Sequence, residues 1–78
     1  MDGQRGHSVI KFENKHNGRY YYLQTEKDLF GDWIIHIIRG GISSRRRRII
    51  FCDSLMAVRE KIRHIGQIRL KRGYTLIQ

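Results

Sequence analysis

The stretch WIIHII, residues 33–38, decides the fold, because four of its residues are isoleucine and one is tryptophan. β-Branched and aromatic side chains favour an extended backbone and pack well on a pleated surface. The stretch therefore predicts a strong strand. His36 interrupts the isoleucines at alternating spacing, so we expect its side chain on the second face of the sheet.

Two strands are predicted before this stretch. Residues 8–13 are rich in β-branched and aromatic side chains, and residues 19–25 contain three consecutive tyrosines. The pair Asn17-Gly18 between them is a turn signal, because both residues tolerate a positive φ.

The second half of the chain predicts a fourth strand and one helix. The strand covers residues 49–52, and we expect at least Arg45 and Arg46 to lie in the loop before it. Apolar residues then recur at helical spacing: Leu55, Val58, Ile62 and Ile65.

The helix has start and stop signals. Asp53 or Ser54 can cap its first turn, and Gly73 can end it after a positively charged last turn. Residues 74–77 are compatible with a short final strand. The sequence therefore predicts an α+β fold, in which an antiparallel sheet of about four strands packs against one C-terminal helix.

Length and composition exclude several classes of protein. A chain of 78 residues without proline or a Ser/Gly linker predicts a single domain over residues 8–78, after a flexible tail at residues 1–7. One cysteine cannot form an internal disulfide or anchor a structural zinc ion alone. The apolar runs are far shorter than the roughly 20 residues that span a bilayer. The polar start lacks the apolar stretch of a secretory signal, which predicts a cytoplasmic location.

The net positive charge of the chain lies entirely in its second half. Residues 1–38 hold five basic and five acidic side chains, whereas residues 39–78 hold eleven basic and two acidic ones. A neutral half followed by a strongly basic half indicates a polyanionic partner.

The candidate phosphate contacts lie around the predicted loop at residues 40–44 and at the end of the helix. Arginine presents a planar fork of donors that matches phosphate oxygens, and glycine lets the backbone come close to a ligand. The predicted site comprises Arg39, Gly40, Gly41, Arg45, Arg46, Arg47, Arg48, Lys71 and Arg72. Its role would be charge neutralisation with release of counterions, so binding should weaken steeply as salt rises.

Catalysis finds little support. The chain has no paired carboxylates beside a histidine and no Gly-rich nucleotide motif, and Cys52 at the end of an apolar strand is expected to be an inert buried thiol. We therefore expect no enzyme activity, metal, cofactor or small-molecule substrate. The tyrosines at residues 20–22 could stack on unpaired bases, but we favour packing roles for them and for Trp33.

The order of these motifs resembles the WGR domain family. The resemblance covers residues 17–75 and rests on YYYLQ at 20–24, LFGDW at 29–33, a strand leading into a glycine-containing loop, and KRGY at 71–74. The last of these is similar to the end of the short bacterial members of the family. The resemblance implies the fold and a non-catalytic module.

The signature of the family is altered in this chain. Arg39-Gly40-Gly41 stands where the family has Trp-Gly-Arg, so only the glycine is retained. In the DNA-dependent poly(ADP-ribose) polymerases that Trp and Arg help to engage the DNA end and neighbouring domains, and this mode cannot be carried over here. Arg39 and the run from Arg45 to Arg48 are the candidates to replace the lost cation.

The sequence thus predicts a nucleic-acid-binding module that favours DNA over RNA and has low specificity for the nucleotide sequence. The alternative is a protein–protein interaction module that uses the sheet face or binds an acidic partner. RNA binding is a further alternative. Attachment to an anionic membrane would rest on charge alone, because the apolar stripe of the helix is expected to pack on the sheet, so no membrane partner is predicted.

Overall fold

The computed structural model describes residues 8–77, which form a five-stranded antiparallel sheet with one helix packed on one face. The elements in chain order are β1 (Ser8–Asn14), β2 (Arg19–Lys27), β3 (Trp33–Gly40), β4 (Arg45–Cys52), α1 (Leu55–Lys71) and β5 (Thr75–Leu76). The strands lie in the order β4-β3-β2-β1-β5, so β4 and β5 are the edges. The predicted α+β fold is confirmed. The predicted tail at residues 1–7 lies outside the described residues.

The core lies between α1 and the middle of the sheet. Leu23 of β2 and Ile35 and Ile37 of β3 have almost no exposed surface. They pack together with Val58 and Ile65 of the helix. The alternation of β3 places His36 on the opposite face, as expected; we call this the open face, because α1 does not cover it.

The helix begins and ends at the predicted residues. The amide of Ala57 donates to the Ser54 hydroxyl at 3.1 Å, which caps the first turn. Gly73 follows the helix with a φ of 89°, and the amides of Gly73 and Tyr74 donate to carbonyl oxygens of the last turn. This is the Schellman arrangement that favours glycine at this position.

Two residues of the helix, Leu55 and Gly66, differ from their neighbours in how they pack against the sheet. Leu55, the first residue of the predicted stripe, is 41% exposed, because it lies at the very start of α1. The helix continues through Gly66, where an added Cβ would lie 3.5 Å from the Phe12 ring. Gly66 therefore marks a close approach of α1 to β1 and does not end the helix.

The structure corrects the expectation that Arg45 and Arg46 lie in a loop. Both belong to β4, where Arg45 lies opposite Gly40 and Arg46 opposite Arg39. Alternation then directs Arg46 and Arg48 to the helix side of the sheet. Both are nonetheless exposed, because β4 is an edge strand of the sheet.

Candidate nucleic-acid interface

Three strands bring three arginines together at one end of the sheet. Arg19 begins β2, Arg39 stands one residue before the end of β3, and Arg46 is the second residue of β4. They surround a cleft of about 340 Å³, which we call the arginine cleft. Its lining residues are Arg19, Arg39, Gly40, Gly41, Ser44 and Arg46.

The arginine cleft carries uncompensated positive charge. Its three guanidinium groups are exposed, and within residues 8–77 none of them lies in an ion pair. The carboxylates with a described partner of this kind lie elsewhere: Glu26 lies 3.2 Å from Nε2 of His36, and Glu60 lies 3.8 Å from a guanidinium nitrogen of Arg63. Neighbouring like charges without counterions favour binding of an anion, and a phosphate can accept bidentate hydrogen bonds from each guanidinium.

The two glycines of the cleft differ in their surroundings. A Cβ at Gly40 would overlap with the carbonyl oxygen of Ser44 and would lie 2.9 Å from the Tyr20 hydroxyl. Gly41 has room for a Cβ, whose nearest neighbour would be Cγ of Arg19 at 3.6 Å. The amide of Gly41 already donates to the Ser44 carbonyl at 2.9 Å, so it closes the hairpin and is not free to bind a phosphate.

The rest of the arginine run lies on both faces of β4. Arg45 and Arg47 project to the open face, whereas Arg48 lies opposite the buried Ile37 on the helix side. All three are exposed. Only Arg46 of the run lines the arginine cleft, so the structure divides a cluster that looked continuous in the sequence.

Lys71 and Arg72 lie at the same end of the sheet but across its width. The Asn14 amide donates to the carbonyl oxygen of Arg72 at 3.3 Å, and Asn14 is the β1 partner of Arg19. β1 and β4 are three strand spacings apart, or about 14 Å. These two cations can therefore extend a positive surface but do not line the cleft.

Two arginines near this end of the sheet, Arg19 and Arg69, do not belong to the site that the sequence predicts. Arg19 follows the Asn17-Gly18 turn, but its position beside Arg39 depends on the register of β2 and β3, for which no local signal exists. Arg69 stands four residues after Ile65, where the helical stripe continues, and this spacing was a usable signal.

Arg69 joins the helix to the sheet. Its guanidinium carbon lies 4.4 Å from the centre of the Tyr21 ring and 5.2 Å from that of Tyr74. Its Nε is buried and has no hydrogen-bond partner among the described residues. Stacking between two rings explains how this cation is accommodated near the core.

The other two tyrosines of β2 pair with each other on the open face. The ring centres of Tyr20 and Tyr22 are 4.9 Å apart, and the Lys11 ammonium lies 5.4 Å from the centre of the Tyr22 ring. The Tyr22 hydroxyl donates to Glu13 at 3.1 Å. Burial, together with this bond to the Glu13 carboxylate, raises the pKa of Tyr22 above its ordinary value.

The structure also bears on metal and membrane sites. Between residues 8 and 77, no three His, Cys, Asp or Glu side chains are grouped so that they could hold a metal ion. Cys52 is half-buried opposite Trp33, which itself packs against the core. Within the same residues, no helix has the length and apolar character needed to cross a bilayer.

Comparison of the chain with models of protein families, with curated proteins and with solved structures found no match. The resemblance to the WGR domain therefore rests on the sequence motifs alone.

Proposed function

We propose that the protein is a non-catalytic nucleic-acid-binding module that contacts DNA phosphates with low sequence specificity. The observation that carries this proposal is the arginine cleft, in which three strands hold three guanidinium groups without a described counterion. The basic residues of β4 and of the helix end would extend the contact surface on either side.

The chemistry of the cleft favours phosphate over a base edge. Its polar side chains are three guanidinium groups and one serine hydroxyl. Contacts to phosphate require donors alone, which the three guanidinium groups supply, whereas donors alone can recognise little on the base edges beyond O6 and N7 of guanine. Binding through this cleft would therefore position the protein on the backbone and discriminate little between sequences.

A salt series with matched charge variants tests the proposal. The variant R19A/R39A/R46A removes the cations of the cleft, and R59A/K61A/R63A removes the same charge from exposed positions on α1. Affinity for a fluorescent DNA duplex is measured for both at several salt concentrations. We expect the cleft variant to bind at least about tenfold more weakly and its log–log salt slope to fall by about 3, because each phosphate contact contributes about 0.9.

The control variant should retain most of the affinity and slope of the parent. Equal losses in the two variants would mean that binding depends on overall charge and not on the cleft. Circular dichroism checks that both variants fold.

Competition identifies the preferred nucleic acid. Unlabelled duplex DNA, single-stranded DNA and structured RNA of equal length compete with the labelled duplex, and duplex DNA should compete best. Single strands would gain from stacking on exposed aromatic rings, but Tyr20 and Tyr22 are already paired with each other. Stronger competition by RNA or by single strands would contradict the preference for duplex DNA.

One observation favours a second function, the docking of a protein partner. Leu29 and Phe30 are 100% and 90% exposed on the turn between β2 and β3. The Asp28 carboxylate accepts hydrogen bonds from the amides of Phe30 and Asp32 at 2.9 and 2.8 Å, so the turn is well defined. Ordered apolar side chains in water are typical of protein contacts. Capture of a partner that survives nuclease and several hundred millimolar salt would support this function.

A further inference from the structure

The outer edge of β4 carries unpaired backbone groups. β4 is an edge strand, and the bond from the Gly41 amide to the Ser44 carbonyl shows which of its residues face β3. In an antiparallel ladder these residues alternate, so the even-numbered residues of β4 bond to β3. The amides and carbonyls of the odd-numbered residues point away from the sheet. Such an edge can pair with a further strand.

The side chains of β4 fit a second copy of the same strand. The first half of β4 is basic, whereas Ile49 and Phe51 in its second half are 47% and 70% exposed. Antiparallel pairing places the basic half of each strand against the apolar half of the other. Like charges are then not directly opposite each other, which parallel pairing would not achieve.

One register satisfies both the backbone and the side chains. When Ile49 lies opposite Ile49 of the second copy, Arg47 lies opposite Phe51. These are odd-numbered residues of β4, whose backbone groups point outwards, so their hydrogen bonds can form. Arg47 can then stack on the Phe51 ring.

The helix side of β4 has a groove for Arg48 of the second copy. A groove of about 640 Å³ lies between β4 and α1, and its lining includes Ile50, Cys52, Asp53 and Glu60. The same register places Arg48 of the second copy opposite Ile50, on this side of the sheet, whereas Arg46 lines its own arginine cleft. The aliphatic stem of Arg48 can cover the apolar part of the groove, while its guanidinium group reaches the carboxylates. Lys61 and His64 also line the groove, so Asp53 and Glu60 are the acceptors.

We propose that two copies of the protein pair antiparallel through β4, with Ile49 on the two-fold axis, and join their sheets into one. Each contact would occur twice, as in any isologous dimer. Arg19 and Arg39 stay outside the interface, so the dimer presents its two arginine clefts at opposite ends. The pairing does not depend on the proposed binding of nucleic acid.

Disulfide cross-linking tests the register directly. In C52A/I49C the two thiols lie opposite each other, about 5.5 Å apart between Cα atoms, which is within reach of a disulfide. In the control C52A/F51C the thiols are displaced by about 14 Å along the strand, beyond that reach. Both positions are exposed, so both variants should fold. In a glutathione buffer we expect the Ile49→Cys variant to form at least about tenfold more cross-linked dimer.

Equal cross-linking in the two variants, or more in the Phe51→Cys variant, would overturn the proposed register. Sedimentation of the natural chain without nucleic acid tests the dimer itself. Each copy carries a net charge of +9, so salt should strengthen the dimer by screening repulsion. A chain that stays monomeric at millimolar concentration at every salt concentration would overturn the proposal.

The salt response separates this inference from the proposed function. Salt should weaken DNA binding and strengthen the pairing of β4, so the two effects have opposite signs. If the chain fails to bind DNA but still cross-links at residue 49, only the proposed function is contradicted. If no dimer forms but DNA binding depends steeply on salt, only the proposed pairing is contradicted.

Discussion

Gly40 shows how one residue determines the shape of the candidate site. It lies at the end of β3, where the Ser44 carbonyl and the Tyr20 hydroxyl approach too closely to leave space for a Cβ. This close approach tightens the hairpin that holds Arg39 beside Arg46. The need for glycine here is steric, since the φ angle of Gly40 lies outside the left-handed region.

Substitution of the two adjacent glycines should therefore have different effects on stability. We expect Gly40→Ala to lower the free energy of unfolding by about 2 kcal/mol, because the backbone of the hairpin must shift to admit the methyl group. Gly41→Ala, whose nearest contact is 3.6 Å away, should change it by less than about 0.5 kcal/mol. Urea unfolding of both variants measures the difference. Equal stability of the two variants would show that the hairpin can relax around Gly40.

At the level of elements, α1 is attached to the sheet by a cation as well as by apolar contacts. Arg69 lies between the rings of Tyr21 and Tyr74, which belong to β2 and to the segment before β5. We expect Arg69→Ala to lower the free energy of unfolding by about 1–2 kcal/mol, because two cation–π contacts and the packing of the stem are lost. Thermal or urea unfolding measures the change.

Arg63→Ala is the matched control for this prediction. Arg63 is 69% exposed and pairs only with the exposed Glu60 on the same helix, at 3.8 Å. Such pairs contribute little, so stability should change by less than about 0.5 kcal/mol. If both arginine variants lose the same stability, the loss reflects overall charge or helix propensity, and stacking is not its cause.

The same elements show what the sequence could and could not predict. The isoleucines of β3, the Ser54 cap and Gly73 were predictable, because each acts through local backbone preferences. The strand position of Arg45 and Arg46 was not, because charged side chains can stay exposed on both faces of an edge strand, and the order of the strands has no local signal. The arginine cleft was predicted only in part, since the position of Arg19 depends on strand register, which is a property of the assembled sheet.

At the level of the whole molecule, the two candidate functions lie at opposite ends. The described residues extend over 39 × 22 × 22 Å. The arginine cleft adjoins the end of β3, whereas the turn that carries Leu29 and Phe30 precedes its start. Eight residues of extended strand separate them, or about 25 Å. A ligand at one end therefore leaves the other end accessible.

This separation predicts that changes at the apolar turn leave DNA binding intact. Leu29 and Phe30 bury almost no surface, so L29S/F30S should keep the thermal midpoint of the parent. Its DNA affinity should stay within about twofold of the parent, since the change alters no charge and lies far from the cleft. The same variant should remain soluble to higher salt, because an exposed apolar pair has been removed from the surface. It should also lose any protein partner whose binding survives nuclease treatment.

The cleft variant R19A/R39A/R46A should show the reverse behaviour, with weakened DNA binding and an unchanged protein partner. A loss of DNA affinity in L29S/F30S as large as that in the cleft variant would mean that the two ends act as one surface.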